Sequence, residues 1–479
     1  MCGPAAPHDS THHREEDSIM SEHGRRLALT KMTAAGISPA AIRVFEKHCI
    51  QLEHGVTGII READIEPLLD IPQIDELKID PDRARVAMDR TVILKLNGGL
   101  GTSMGLDKAK NLLPARNGMT FLDVIVSQVL AARAAHGARL PLLLMNSFRT
   151  HEDTQKALAA YPDLPADDLP VCFLQNREPK LRADDLTPVD WPADPTLEWC
   201  PPGHGDVYAA LYDSGLIDRL LVHGYEYLFL SNGDNLGAAP DARMAGWFAA
   251  SGAPYAAELC RRTANDRKGG HLATRKLDGQ LVLRDTAQTA PEEMDFFTDE
   301  SRHPFFHTNN LWIRLSRLKE VMRARDCVLD LPLIRNEKTV DPTNPTSPKV
   351  IQLESAMGAA VGVFPGATAI GVSRERFVPV KTTNELLLLR SDLHELDDQY
   401  RLVAKGRTPA VWLDHHFKLI HDFTRRVPFP LHLRRATSLT VTGDVSFGQA
   451  VHILGDVDIT SQGPLHISDG TWLGTLNDD

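Results

Sequence analysis

Four short apolar runs punctuate the first half of the chain: Thr91–Leu96, Pro141–Met145, Val171–Leu174 and Tyr227–Leu230. They are nearly continuous in hydrophobicity rather than alternating, the pattern of strands covered on both faces. Helical stretches lie between them, Phe121–His136 the clearest. This predicts an α/β fold class: a Rossmann-like parallel sheet with helices on both faces. Ligand loops in such folds sit at the carboxyl ends of strands. The residues that follow each run are therefore the place to look for chemistry.

The flanking segments differ in texture. Residues 1–19 are polar and read as a disordered tail, with Met20 an alternative start. Residues 20–90 read as a helical lead, broken at Gly55–Gly58, Pro72 and Pro81. The α/β domain is expected over 91–395, then a linker with helix over 396–435, where Val411–Phe423 is helix-like. From 436 to 479 apolar residues recur every six positions at Val441, Phe447, Ile453, Ile459 and Leu465. A second row, Val445, Val451 and Val457, keeps the same step, with Gly443, Gly448 and Gly455 between. A hexapeptide period in two rows predicts a parallel β-helix with a role in assembly or capping.

Composition narrows the function classes. The 479 residues, 42% apolar and 24% charged, are ordinary for a globular chain able to bury large cores. Against 64 acidic residues stand 52 basic ones, a net charge of −12, which argues against a nucleic-acid partner. The six cysteines show no CxxC pair and no zinc-ligand spacing. No apolar run approaches the ~18 residues of a membrane span. Together these predict a cytoplasmic address and no membrane partner.

The candidate chemistry follows the strands. Asn97-Gly98-Gly99-Leu100-Gly101-Thr102-Ser103-Met104-Gly105, with Lys110 beyond, matches neither the P-loop nor the dinucleotide spacing. Its glycines would let backbone amides approach a phosphate, and Lys110 would add a point charge. Pro201-Pro202-Gly203-His204-Gly205-Asp206 holds a histidine on a stiff loop, fit either for a ligand or for a backbone carbonyl. Ser231-Asn232-Gly233-Asp234-Asn235 places Asp234 where a hard divalent cation or an Asx-turn could use it. Phe306–Trp312, Val350–Glu354 and Phe377–Thr383, the last with Lys381, are weaker candidates for gripping sugar hydroxyls and phosphate. His415, His416 and His421 read as surface or packing residues, and Thr150–Asp153 as a helix start with Thr150 as N-cap.

In this order the segments resemble the UTP–glucose-1-phosphate uridylyltransferases, from about residue 60 onward; Asn146-Ser147-Phe148, Phe121-Leu122-Asp123 and Ser391-Asp392-Leu393 match as well. The resemblance implies a GT-A-type nucleotidyltransferase domain built on a Rossmann-like mixed sheet, and a left-handed C-terminal parallel β-helix, through which homo-oligomers could form. It implies UTP and glucose-1-phosphate as partners and Mg2+ as cofactor, with Asp234 on the metal. Lys110 and Lys381 would be catalytic. Leu96, Asn97, Gly98, Gly99, Gly101, Thr102, Gln175 and Gly203 would bind UTP, Gln175 reading the uracil edge. His204, Asn232, Gly233, Asn309 and Glu354 would fall on the sugar phosphate. Two departures stand out: Lys108-Ala109 before Lys110, where Gly-Pro is common, and His307 ahead of Thr308-Asn309-Asn310. A sugar-1-phosphate oxygen is already anionic, so the reaction implied is direct attack on the UTP α-phosphorus without a general base. An N-acetylhexosamine or broad-specificity pyrophosphorylase, and a non-catalytic nucleotide-sugar-binding protein, are the competing readings.

Overall fold

The computed structural model describes residues 10–263, 266 and 269–475. The first nine residues of the expected tail lie outside these, and from Ser10 the chain is helical in α1 (Ser10–Ala34). Helix α2 (Pro39–Glu53) follows, started by Ser38, whose hydroxyl accepts from the Ala41 amide, and by Pro39 at the first position. Proline fits there because its missing N–H would be unpaired anyway.

The centre is a seven-stranded sheet. In chain order its strands are β1 (Thr91–Asn97), β2 (Leu142–Asn146), β3 (Cys172–Leu174), β4 (Tyr227–Asn232), β5 (Tyr255–Arg261), β6 (Phe305–Arg314) and β7 (Thr368–Gly371). Their spatial order is β7-β5-β6-β4-β1-β2-β3. β4, β1, β2 and β3 run parallel, as do β5 and β7, while β6 is antiparallel to both its neighbours. All four apolar runs thus form strands of one mostly parallel mixed sheet. The register sets Asn97 beside Asn146, Asn146 beside Leu174, and Leu96 beside Asn232. The carboxyl ends of four strands therefore share one edge.

Around the sheet stand α3 (Pro81–Asp89), α4 (Phe121–His136), α5 (His151–Leu158), α6 (Val207–Asp213), α7 (Ala242–Ser251) and α8 (Leu315–Ala324). Side chains alternate across a strand, and two cores result. Ile93, Leu142, Leu144 and Phe229 pack with α3, α4 and α7 on one side. Val92, Leu94, Leu143 and Leu228 pack with α6 and α8 on the other. Phe229 stacks on Trp312 at 4.6 Å, and burying each ring is worth ~2–3 kcal/mol.

Helix α9 (Thr383–Arg390) joins this core to the C-terminal unit, whose strands are β8 (Ala410–Leu413), β9 (His432–Thr442), β10 (Val445–Phe447), β11 (His452–Thr460), β12 (Leu465–Ile467) and β13 (Trp472–Gly474). Every pairing among them is parallel: His432 lies beside His452, His452 beside Trp472, and Val445 beside Leu465. The partners lie 20 residues apart at His432, Val445 and His452 and 18 apart from Ser438 to Thr442, with two strands to each step, and both apolar rows are buried as far as Ile459. Leu465 departs from its row and is 37% exposed, because among the described residues no further turn covers β12. The helix-like stretch Val411–Phe423 is also corrected. Its start is strand β8, paired with β9, and only α10 (Ile420–Arg426) is α-helical. Val411 and Leu413 alternate with exposed Trp412, a two-residue period that outweighs the helical one.

Candidate active site

The glycine loop leaves the end of β1, and β2's loop props it from below. The Asn97 amide donates to Asn146 Oδ1 at 2.7 Å and to Thr154 Oγ1 at 2.8 Å. Thr150 Oγ1 donates to the Asn97 carbonyl at 2.7 Å, and Ser147 Oγ to the Gly98 carbonyl at 2.8 Å. Asn97 is therefore buried and shapes the loop through its side chain. Thr150 precedes α5 as expected but makes no side-chain cap bond, because its Oγ1 accepts from the Ser147 N–H at 3.0 Å while donating to Asn97. Gly101 (φ 66°) and Gly105 (φ 71°) are left-handed and bracket the short turn Thr102–Met104. A Cβ at Gly98 would stand 3.0–3.3 Å from the Gln175 carboxamide, whereas one at Gly99 would meet open space. The loop is tight against Gln175 on one side and free on the other, where a phosphate could approach its amides.

Lys110 ties this loop to the next. Its N–H donates to the Gly99 carbonyl at 3.0 Å, and Nζ donates to Asp234 Oδ2 at 2.6 Å. Gly233 is required beside it: a Cβ would collide with the Leu96 carbonyl oxygen and with the Asn111 side-chain amide. The Val380 N–H donates to the Asp234 carbonyl at 3.1 Å, which carries Lys381 toward the same place.

Sequence reasoning missed the floor beneath Asp234. Lys95 is fully buried and donates to Ser231 Oγ at 2.8 Å and to the Ala238 carbonyl at 2.6 Å, clamping both ends of the loop. Burial, helped by Arg376, lowers its pKa to about 7. Glu258 accepts both arms of Arg376, at 2.7 and 2.8 Å, and also the Asn310 amide and the Trp312 indole, each at 2.9 Å. Asn235 donates to the Arg376 carbonyl and accepts from the Val378 N–H, so the cluster anchors the segment leading to Lys381. Lys95 had a signal: it is a lone charge inside the apolar run Thr91–Leu96.

The opposite wall holds the histidines. The Gly205 N–H donates to the Ser355 carbonyl at 2.8 Å, and the Ser355 N–H to the Pro202 carbonyl at 3.1 Å, binding this loop to Glu354-Ser355. Gly203 (φ 78°) faces the same segment, and a Cβ there would come within 2.6 Å of the Ser355 oxygen and 2.9 Å of Glu354 Cβ. His204 Nδ1 accepts from the Met357 N–H at 2.9 Å. Burial, with the nearby Lys381 charge second, lowers its pKa to about 4, so the ring is neutral with its proton on Nε2. His307 is likewise held at about 4 by burial, and its Nδ1 accepts from Asn309 at 3.3 Å. Its Nε2 is buried without a protein partner among the described residues. A Cβ at Gly358 would lie 2.6 Å from His307 and 3.2 Å from Asn309 Oδ1, so this hollow is narrow.

The structure thus brings Gly98–Gly101, Lys110, Asn232–Asp234 and Lys381 to one edge, with Gln175 against Gly98 and His204, Asn309 and Glu354 across from them. Thr102 is exposed at the loop tip. His415 and His421 are exposed, and His415 and His416 form with Asp414 a separate cluster in the C-terminal unit.

The chain is similar to known proteins over most of its length. The sequence profile of the UTP–glucose-1-phosphate uridylyltransferases matches residues 44–454. The chain belongs to this family. A UTP–glucose-1-phosphate uridylyltransferase of Hordeum vulgare is 39% identical over 402 residues, 82% of this chain and 82% of that protein. One of Saccharomyces cerevisiae is 40% identical over 377 residues, 78% of this chain and 74% of its own length. A UDP-glucose pyrophosphorylase of Leishmania major, a mutant form solved in complex with UDP-glucose, superposes with a TM-score of 0.88 at 42% identity, covering 95% of this chain and 98% of that one.

Nucleotidyltransferases of this family commonly use a divalent metal, and Asp234 can serve one. One carboxylate oxygen is taken by Lys110, and the side chain remains 20% exposed toward the loop. Among the described residues the only group of three metal-capable side chains is Asp414-His415-His416, outside the site. A single carboxylate suits a cation that draws its other ligands from substrate phosphates and water.

Proposed function

We infer that the protein forms UDP-glucose and pyrophosphate from UTP and glucose-1-phosphate. The observation that carries this is the Lys110–Asp234 pair, bonded through Val380 to the segment of Lys381 and standing between an open glycine loop and a neutral histidine. The amides of Gly98, Gly99 and Gly101, with Leu96, Asn97 and Thr102 shaping the loop, hold the UTP phosphates, while Gln175 and Gly203 hold the uracil side. Lys110 leaves Asp234 for the β- and γ-phosphates. Asp234 would hold Mg2+, which would supply charge neutralisation on the phosphates. Asn232, Gly233, His204, Asn309 and Glu354 orient glucose-1-phosphate, His204 donating from Nε2.

The bound sugar phosphate is already a nucleophile. The protein's task is to hold two repelling anions in line and to neutralise the charge that builds up. Lys381 does this at the α-phosphate as the new P–O bond forms and the bond to pyrophosphate breaks. No side chain is covalently modified.

The catalytic domain is of the GT-A type over 91–395, after a helical lead. The parallel C-terminal turns close as a left-handed β-helix. Its last turn, with Trp472 56% exposed, is the surface for self-association. The five described cysteines are all free, in keeping with a cytoplasmic address. A panel of sugar-1-phosphates tests the sugar assignment. The narrow hollow at His307, Asn309 and Gly358 predicts at least a tenfold lower kcat/KM for N-acetylglucosamine-1-phosphate than for glucose-1-phosphate. Equal values would overturn it.

A further inference from the structure

Asp206 lies behind the two loops that hold the nucleotide and touches neither the glycine loop nor Lys381 in any bond. It is 5% exposed, and its carboxylate is spent on one neighbour: Oδ2 accepts from the Asn176 N–H at 2.6 Å and Oδ1 from the Asn176 side-chain amide at 2.8 Å. Asn176 directly follows Gln175, whose carboxamide packs on Gly98 and whose own N–H donates to the Asn146 carbonyl at 2.9 Å. Gln175 is thus gripped on both sides, by strand β2 before it and by Asp206 after it. On its other flank Asp206 belongs to the loop of His204, with its N–H on the Gly203 carbonyl at 3.4 Å. One carboxylate therefore joins the loop after β3 to the loop of Gly203 and His204.

The setting makes this bond strong. Burial raises the Asp206 pKa to about 6, with Asp213 adding to the rise and the two Asn176 bonds opposing it, so the group is an anion at neutral pH. Behind it lies a hollow of about 30 Å3 walled by His48 and Gln51 of α2 and by Tyr208. Lys47 also lines it but pairs with Asp330, so among the described residues no cation is paired with Asp206 and Asn176 carries the bond alone. Charge-assisted hydrogen bonds in such places are about twice as strong as neutral ones.

We propose that Asp206 is a positioning residue for nucleobase selection, which fixes Gln175 against Gly98 through its paired bonds to Asn176. The proposal rests on the reading of Gln175 as the residue that meets uracil. Uracil and cytosine differ in the donor and acceptor at C4, so a carboxamide discriminates between them only when its orientation is held.

The test compares steady-state kinetics of the full chain with UTP and with CTP. In Asp206→Asn an amide N–H faces a donor on Asn176, and one bond of the pair is lost. The kcat/KM ratio of UTP over CTP should fall about tenfold, the cost of one bond to a charged group. The change should lie in KM for the nucleotide, with KM for glucose-1-phosphate unchanged. Asn176→Ala, which keeps the backbone bond and removes the side-chain one, should shift the ratio the same way by less, and serves if Asp206→Asn does not fold. Gln175→Ala is the reference. If it lowers the ratio while Asp206→Asn and Asn176→Ala leave it intact, the positioning role is overturned and the reading of Gln175 stands. If Gln175→Ala leaves the ratio unchanged, the reading of Gln175 fails, and the proposal with it.

Discussion

Lys110 and Asp234 meet at 2.6 Å, and each partly covers the other's charge. Lys381 differs, being an exposed cation next to a buried neutral histidine. In the proposed reaction Lys381 faces the reacting phosphorus, so removing its charge should act on turnover more than on binding. Lys381→Ala is expected to lower kcat by about 10²–10³-fold with an unchanged melting temperature, measured by steady-state kinetics and calorimetry. The two histidines carry a pH signature. Their folded pKa values, about 4, lie below the ordinary 6.5, so between these values the unfolded chain binds more protons. Stability contributed by neutral His307 is complete above 6.5 and is lost as pH falls toward 4. His307→Gln should therefore flatten the loss of unfolding free energy over that window, by up to about 1.4 kcal/mol per pH unit. Denaturant titrations at several pH values read the slope directly.

At the scale of elements, the edge is made by strand register, and its loops are fixed by buried polar groups that take no part in the reaction. Glu258 accepts four donors and leaves Arg376 its main counter-charge. Replacing it by glutamine would leave Arg376 buried without a full partner. Glu258→Gln should destabilise by about 3–5 kcal/mol in denaturant unfolding. It should also reduce kcat, because Asn235 and Lys381 hang from the same cluster. A variant that melts like the wild type would show that the cluster is not what holds this loop. This level was hardest to read from sequence. The four strands and α4 announced themselves because apolar periodicity is a local property. Glu258, Arg376, Lys95 and Asp206 gain their partners only once segments tens to more than a hundred residues apart are brought together. Thr150 shows the same thing in miniature: its position before a helix was legible, but the Asn97 carbonyl that takes its hydroxyl was not. The stretch 411–423 misled because its histidines and leucines fit a helical period over a few residues, while the strand that decides β8 lies some 28 residues further on.

For the whole molecule, a net charge of −12 coexists with a site for polyphosphate and sugar phosphate. The contradiction dissolves in the geometry, since Lys110, Lys381 and the glycine-loop amides gather at one edge of the sheet, where Lys110 is paired with Asp234. The strands of the sheet and the family's motifs were legible because both are local strings, and the six-residue step of the C-terminal unit reappears as parallel pairing of its strands. What placed them in one site was the sheet order, with β4 between β1 and β6. Pyrophosphate release reads whether this edge joins UTP to glucose-1-phosphate. The purified chain with UTP, glucose-1-phosphate and Mg2+ should release one pyrophosphate per UDP-glucose formed. Omitting either the sugar phosphate or the metal should abolish release. Tight UTP binding without any pyrophosphate release, or release that does not depend on the sugar phosphate, would contradict the account.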